Sequence, residues 1–161
     1  MLVIEIGKKE YTIEFSIEAS LCDECVSKLT NFLFAGTGRN DNANIIEAVL
    51  STMTDMPSVA LSLFYAGLLE NHGKDGDGLV KTKADAKKLM KQYFIEHKED
   101  GEGTYYSLFQ LLLGQMGADG FFDLIGLNQM IESTQANAEK LAKEVEQLAV
   151  NTKTTTKTTK K

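Results

Sequence analysis

The sequence predicts a mainly α-helical α+β protein: a small N-terminal β-hairpin on a helical bundle, then a long C-terminal heptad helix. Residues 2 to 15 alternate apolar and polar with period two, the strand period, whereas most later apolar residues recur at three- and four-residue spacing. Pro57 is the only proline, which favours long helices over a loop-rich sandwich. The stretch Asp55 to Gly73 (DMPSVALSLFYAGLLENHG) leaves almost no polar face, so neighbours must cover it all round. Asp55 is suited to cap its start, Pro57 to its first turn and Gly73 to its stop. At that length it is too short to span a membrane.

The other elements follow in order. Leu2 to Phe15 (LVIEIGKKEYTIEF) reads as a hairpin with Gly7-Lys8 as a two-residue type II′ turn. That register pairs Ile4 with Tyr11 and Leu2 with Ile13, placing Leu2, Ile4, Ile6, Tyr11, Ile13 and Phe15 on one face and Glu5 opposite Glu10. A lone hairpin is marginal, so this face must sit on helices. Ser16 is the expected cap of a helix from Ile17 to about Phe34, with Leu21, Cys22, Cys25, Val26, Leu29, Phe32 and Leu33 at helical spacing. After the loop Gly36 to Asn44, residues Ile45 to Met53 predict a short helix that ends before Pro57. His72 to Gly78 (HGKDGDG) is a second loop. Thr82-Lys83-Ala84-Asp85 resembles a capping box and opens a helix carrying Leu89, Met90, Tyr93 and Phe94. Thr104 caps a further helix with Tyr105, Leu108, Phe109, Leu112 and Leu113, ending near Gly117.

From Gly120 to Val150 a single helix is expected. Leu124, Leu127, Ile131, Thr134, Ala138, Leu141, Val145 and Leu148 step by three and four without a break, a seven-residue repeat with its charges off the stripe. So narrow a seam suits a coiled coil or a partner helix better than a wide core-facing stripe. Folding back on its own domain remains the other option. Leu124, Leu127, Ile131, Ala138, Leu141, Val145 and Leu148 are the candidate partner or oligomer contacts. The expected organisation is a hairpin-plus-helices domain over 1–118, an association helix over 119–150 and a basic Thr/Lys tail over 151–161, expected to be disordered.

The 161 residues allow one domain with a core and an appendage, at a hydrophobic fraction of 43% and a charged fraction of 25%, ordinary globular values. Net charge is −6, and with four lysines in the last eleven residues the first 150 carry −10. So acidic a body makes a poor nucleic-acid binder. Leu2 to Ile6 is interrupted by Glu5 and has no basic lead, so no signal peptide is expected and the protein reads as soluble and intracellular.

The chemistry-bearing motifs are weak. Cys22 and Cys25 make a CxxC pair, but a structural zinc site needs four ligands and the chain holds only these two cysteines. A thioredoxin-like strand does not precede them, so buried structural thiols are expected. His72 and His97 each stand alone near a loop or helix end. Asp75-Gly76-Asp77-Gly78 resembles a calcium loop, yet Gly73 and Ala84 fall where its first and twelfth positions need acids. Gly36-Thr37-Gly38 is too short for a dinucleotide site, and Asp119-Gly120-Phe121-Phe122 reads as a turn launching the last helix. No catalytic residues, metal or cofactor are expected.

The N-terminal VIEIGKKEYTIEFSIEAS, the helix after it and the later SLFYAGLLENHG together resemble tail assembly chaperones of long-tailed phages of Gram-positive hosts. The resemblance covers roughly residues 2 to 116. Its best local matches are Gly7-Lys8-Lys9-Glu10-Tyr11, Phe15-Ser16 and Tyr65-Ala66-Gly67-Leu68. It implies a small, mainly helical, non-enzymatic protein that coats the tape measure protein, keeps it soluble and helps recruit tail tube protein subunits. It further implies a homo-oligomer in the host cytoplasm, absent from the mature virion, with neither nucleic acid nor membrane as partner. A longer frameshifted form is common in that family, and Lys160-Lys161 fits a run of adenines that permits slippage. Two other readings stand beside it: a stable helical structural or adaptor protein assembling through its C-terminal helix, and a small thiol-dependent or metal-binding enzyme centred on Cys22 and Cys25.

Overall fold

A computed structural model of the chain describes residues 1–34 and 45–133, with the backbone alone at 34 and 45–52. Strands β1 (Leu2–Ile6) and β2 (Lys9–Ile13) pair antiparallel, with Leu2 opposite Ile13, Ile4 opposite Tyr11 and Glu5 opposite Glu10. This is the register that the alternation predicts. Ile4, Ile6, Tyr11, Ile13 and Phe15 are buried, while Val3, Glu5 and Glu10 face outward. The turn is not the expected type II′. Gly7 and Lys8 both have positive φ, +62° and +66°, the signature of type I′. Either primed turn matches strand twist, and here Lys8 adopts the left-handed conformation although it is not a glycine.

The single helix expected over 17–34 is two, α1 (Ile17–Ser20) and α2 (Asp23–Phe34). The Ser20 hydroxyl donates to the Ile17 carbonyl at 2.7 Å, a local bond that competes with helix continuation. Asp23 and Glu24 then supply the negative charge favoured at a new helix start. The break leaves Leu21 69% exposed, off the stripe it was assigned to. Ser16 does not cap α1. Its hydroxyl donates instead to the Glu70 carboxylate.

Helix α3 (Ile45–His72) joins what the sequence divided at Pro57. Avoidance of helical geometry before a proline is a bias, and a helix running through it forfeits one backbone bond. Tertiary packing offsets that loss: Ala60, Leu63, Phe64, Ala66 and Leu68 are fully buried. Asp55 is therefore an exposed residue inside α3, not its cap. Around α3 pack β2, α1, α2, α4 (Lys83–Glu96) and α5 (Tyr105–Ala118). The expected caps of α4 and α5 hold. Thr82 accepts from the Asp85 N–H while the Asp85 carboxylate accepts from the Thr82 N–H at 3.1 Å, and Thr104 accepts from the Ser107 N–H at 3.1 Å. Leu108, Phe109, Leu112 and Met116 form the buried face of α5.

The last expected helix is interrupted. A four-residue helix α6 (Phe121–Leu124) ends in a turn at Ile125-Gly126, where Gly126 has φ +72°, and helical geometry resumes at 127. A left-handed glycine is a common helix stop, and Phe121, fully buried against Phe15, anchors α6 in the core. Met1–Ile125 forms one compact unit and a second begins at Gly126, so α6 belongs to the first. Among the described residues, no helix is long and apolar enough to cross a membrane.

Candidate functional site

The hairpin and the residues that follow it are held by Gly67 and His72 on α3 and by Asp119 at the end of α5. Gly67 lies under it: the Glu14 N–H donates to the Gly67 carbonyl at 2.9 Å, and a Cβ there would stand 2.7 Å from Ile13 Cγ2 and 3.1 Å from Phe15 Cζ. His72 is buried and does not stand alone. Its Nε2 accepts from the Thr12 N–H at 2.9 Å, so Nδ1 carries the proton and donates to Asp77 Oδ2 at 2.8 Å. Asp77 of the calcium-like loop is thus committed to a histidine. Asp119 accepts from the Phe15 N–H at 2.8 Å, from the Gln115 amide at 2.6 Å and from the terminal ammonium at 3.2 Å. Burial acts to raise its carboxyl pKa, but these bonds outweigh burial and hold it below the ordinary aspartate value.

On another side of α3, a groove of about 760 Å³ runs along α4 to the start of α5. Pro57, Leu61, Met90 and Phe94 line it, with Ile95 and Tyr105 at its edge. Phe94 and Tyr105 meet edge-to-face at 4.8 Å. Lys87, Lys88, Lys91 and Lys98 form the rim. Lys88 lies 3.5 Å from Asp85, and among the described residues the other three have no carboxylate within ion-pair distance. The sequence held a signal for this surface that its reading passed over. At about 100° per residue, positions 84, 87, 91, 94 and 95 fall on one side of α4, interleaving lysine with Phe94 and Ile95, and Lys98 follows just past its end.

Of the two thiols expected to be buried, Cys25 is and Cys22 is only half-buried. Cys25 is buried, and burial followed by the nearby Cys22 pushes its pKa up to about 12, the opposite of an activated nucleophile. Cys22 is half-buried at the α1–α2 break. In native protein, a Cys22→Ser variant should therefore react with a maleimide at least about tenfold more slowly than a Cys25→Ser variant, with equal rates in denaturant. Equal native rates would place Cys25 at the surface.

His97 is not alone either. It ends α4 with Nδ1 2.7 Å from Asp100 Oδ2, and Glu102 completes a set of three possible metal ligands within 4.8 Å of one another. Asp100 also accepts from the Glu102 N–H at 2.9 Å. The cluster is an exposed, internally hydrogen-bonded turn, and ion binding does not follow from it.

Of the candidate seam residues, Leu124 ends α6 half-exposed, Leu127 is buried and Ile131 is half-buried. Ala138, Leu141, Val145 and Leu148 lie outside the described residues. The turn at Ile125-Gly126 separates Leu124 from the rest, so the seam does not run unbroken from 124.

Neither a protein-family model, nor a curated protein, nor a solved structure matches this chain.

Proposed function

We propose that the protein is a non-enzymatic tail assembly chaperone of a long-tailed phage. It holds the tape measure protein in soluble form in the host cytoplasm, helps recruit tail tube subunits around it, and leaves before the particle is complete. The observation that carries this reading is where the resembling segments meet. Phe15-Ser16 and Tyr65-Leu68 are separate in the chain, yet they meet at one hairpin–helix junction, with Gly67 as the residue whose bare backbone lets Ile13 and Phe15 seat, while the turn of Gly7-Tyr11 docks on α4 through the Gly7 N–H bond to Glu96. A resemblance carried by residues that act together structurally weighs more than one of scattered letters. The open apolar groove with a charged rim also suits a protein that holds another chain.

The task has a plain physical requirement. A very long amphipathic helix exposes apolar stripe to water and aggregates, and its chaperone must cover that stripe through contacts weak enough to be displaced. Several copies acting together supply avidity without any single tight contact.

The test is co-expression with the long helix-coding gene expected downstream of this one. The soluble fraction of that gene product should rise at least about fivefold when this protein is present. No rise, or recovery of this protein in purified particles at fixed copy number, would overturn the chaperone reading, the second result in favour of a stable structural component.

A further inference from the structure

We propose that the groove between α3 and α4 seats an amphipathic helix of a partner protein, about three turns long, whose apolar stripe is flanked by Asp and Glu. The proposal deepens the chaperone reading and rests on it for the identity of the partner, though not for the chemistry of the groove.

Its apolar surface is not spare core. Ile95 is 66% exposed and Tyr105 42%, beside the half-buried Phe94, Pro57 and Leu61. Contiguous apolar surface rimmed by charge marks an interaction site more often than chance exposure does. The dimensions suit a helix. Ala84 to Ile95 spans about 16 Å at roughly 1.5 Å per residue, so a partner lying alongside α4 would meet it over about three turns.

Charge selects the partner. The first 150 residues carry −10, yet Lys87, Lys88, Lys91 and Lys98 gather along this one trough. Lys87 and Lys91 are neighbours on successive turns, a like-charge arrangement that disfavours the helix until an anion lies between them. Carboxylates flanking a partner's apolar stripe would meet the lysines along α4 while the stripe meets Phe94 and Ile95. Other occupants fit less well. A nucleic acid would find lysines but an apolar floor beneath them and an acidic body around them. A bilayer meets convex or flat surfaces, and this one is a trough.

The experiment uses full-length protein and two labelled helical peptides of about 18 residues, identical in their Leu stripe and flanked by Glu in one and by Lys in the other. In fluorescence anisotropy the Glu-flanked peptide should bind at least about tenfold tighter, with the gap narrowing as salt rises. A Lys87→Glu/Lys91→Glu variant should reverse that preference, which a merely misfolded variant cannot do. Ile95→Asp should weaken both peptides. Equal binding of the two peptides by the natural protein, or an unreversed preference in the charge variant, overturns the proposal. So does either alternative occupant: a charge variant that lowers the sedimentation mass of the free protein while peptide preference stays put, which assigns the groove to a second copy, or lysine-dependent binding to anionic vesicles without peptide binding. If these variants still keep the long helical partner soluble, the groove assignment fails and the chaperone reading stands. If the natural protein prefers the Glu-flanked peptide yet leaves the partner insoluble, the chaperone reading fails alone.

Discussion

Gly67→Val should destabilise the protein by about 3 kcal/mol, the upper part of the range for overpacking a filled core. The position is helical and buried, and a valine would ordinarily cost little against glycine there. The cost comes from the hairpin. A Cβ would come within 2.7 Å of Ile13 Cγ2, a methyl that hangs from a stiff β-branched carbon on a fully buried side chain. Phe15 blocks the other direction at 3.1 Å. The hairpin must lift, and lifting it also weakens the Glu14 N–H bond to the Gly67 carbonyl. Gly67→Ala should cost less, because helix propensity returns up to about 1 kcal/mol. Urea unfolding measures the loss, and hydrogen exchange should show β1 and β2 opening before α4 and α5. An unchanged midpoint for both variants would mean that the hairpin does not sit on α3 at Gly67.

Asp119→Ala should cost about 2 kcal/mol at neutral pH, since one carboxylate accepts the Phe15 N–H, the Gln115 amide and the terminal ammonium, and hydrogen bonds to a charged acceptor are worth roughly 1.5–3 kcal/mol each where buried. The sign with pH follows from the direction of its pKa. The folded value lies below the ordinary 3.8, so the native state favours the ionised form. Its contribution is fully present above the unfolded value and is lost as pH falls through the folded one. The stability gap between the natural protein and Asp119→Ala should therefore be constant from pH 7 to 5 and close below about pH 4. A gap that persists undiminished at pH 3 would show that Asp119 acts through packing and not through its charge.

These two residues also show how far the sequence could be read. Asp119 was legible only as part of a turn, because two of its three partners lie 104 and 118 positions away and leave no local pattern. Gly67 was visible as a matching letter, but the reason for a glycine there exists only once Ile13 and Phe15 arrive over it. His72 looked like an isolated histidine at a helix end, and its acceptor role depends on a strand edge 60 residues earlier. The lysine rim is the opposite case. Its spacing was in the sequence, but Pro57, Leu61 and Tyr105, which turn a basic helix face into a groove, come from other elements.

By itself the sequence determined what local chemistry and periodicity can specify. The hairpin register followed from alternation, since a one-residue slip would have turned either Ile4 and Ile6 or Tyr11 and Ile13 out to solvent. The starts of α4 and α5 followed from Thr82 and Thr104, whose bonds close within three residues. The burial of α3 from Val59 onward followed from the lack of a polar face in that stretch. Tertiary structure decided the helix ends where local signals conflicted or were outweighed: continuation through Pro57, the break after Ser20 and the stop at Gly126. At each of these points a local preference is worth at most a few kcal/mol, and burial of side chains such as Leu63, Phe64 and Phe121 outweighs it only when the whole core is assembled.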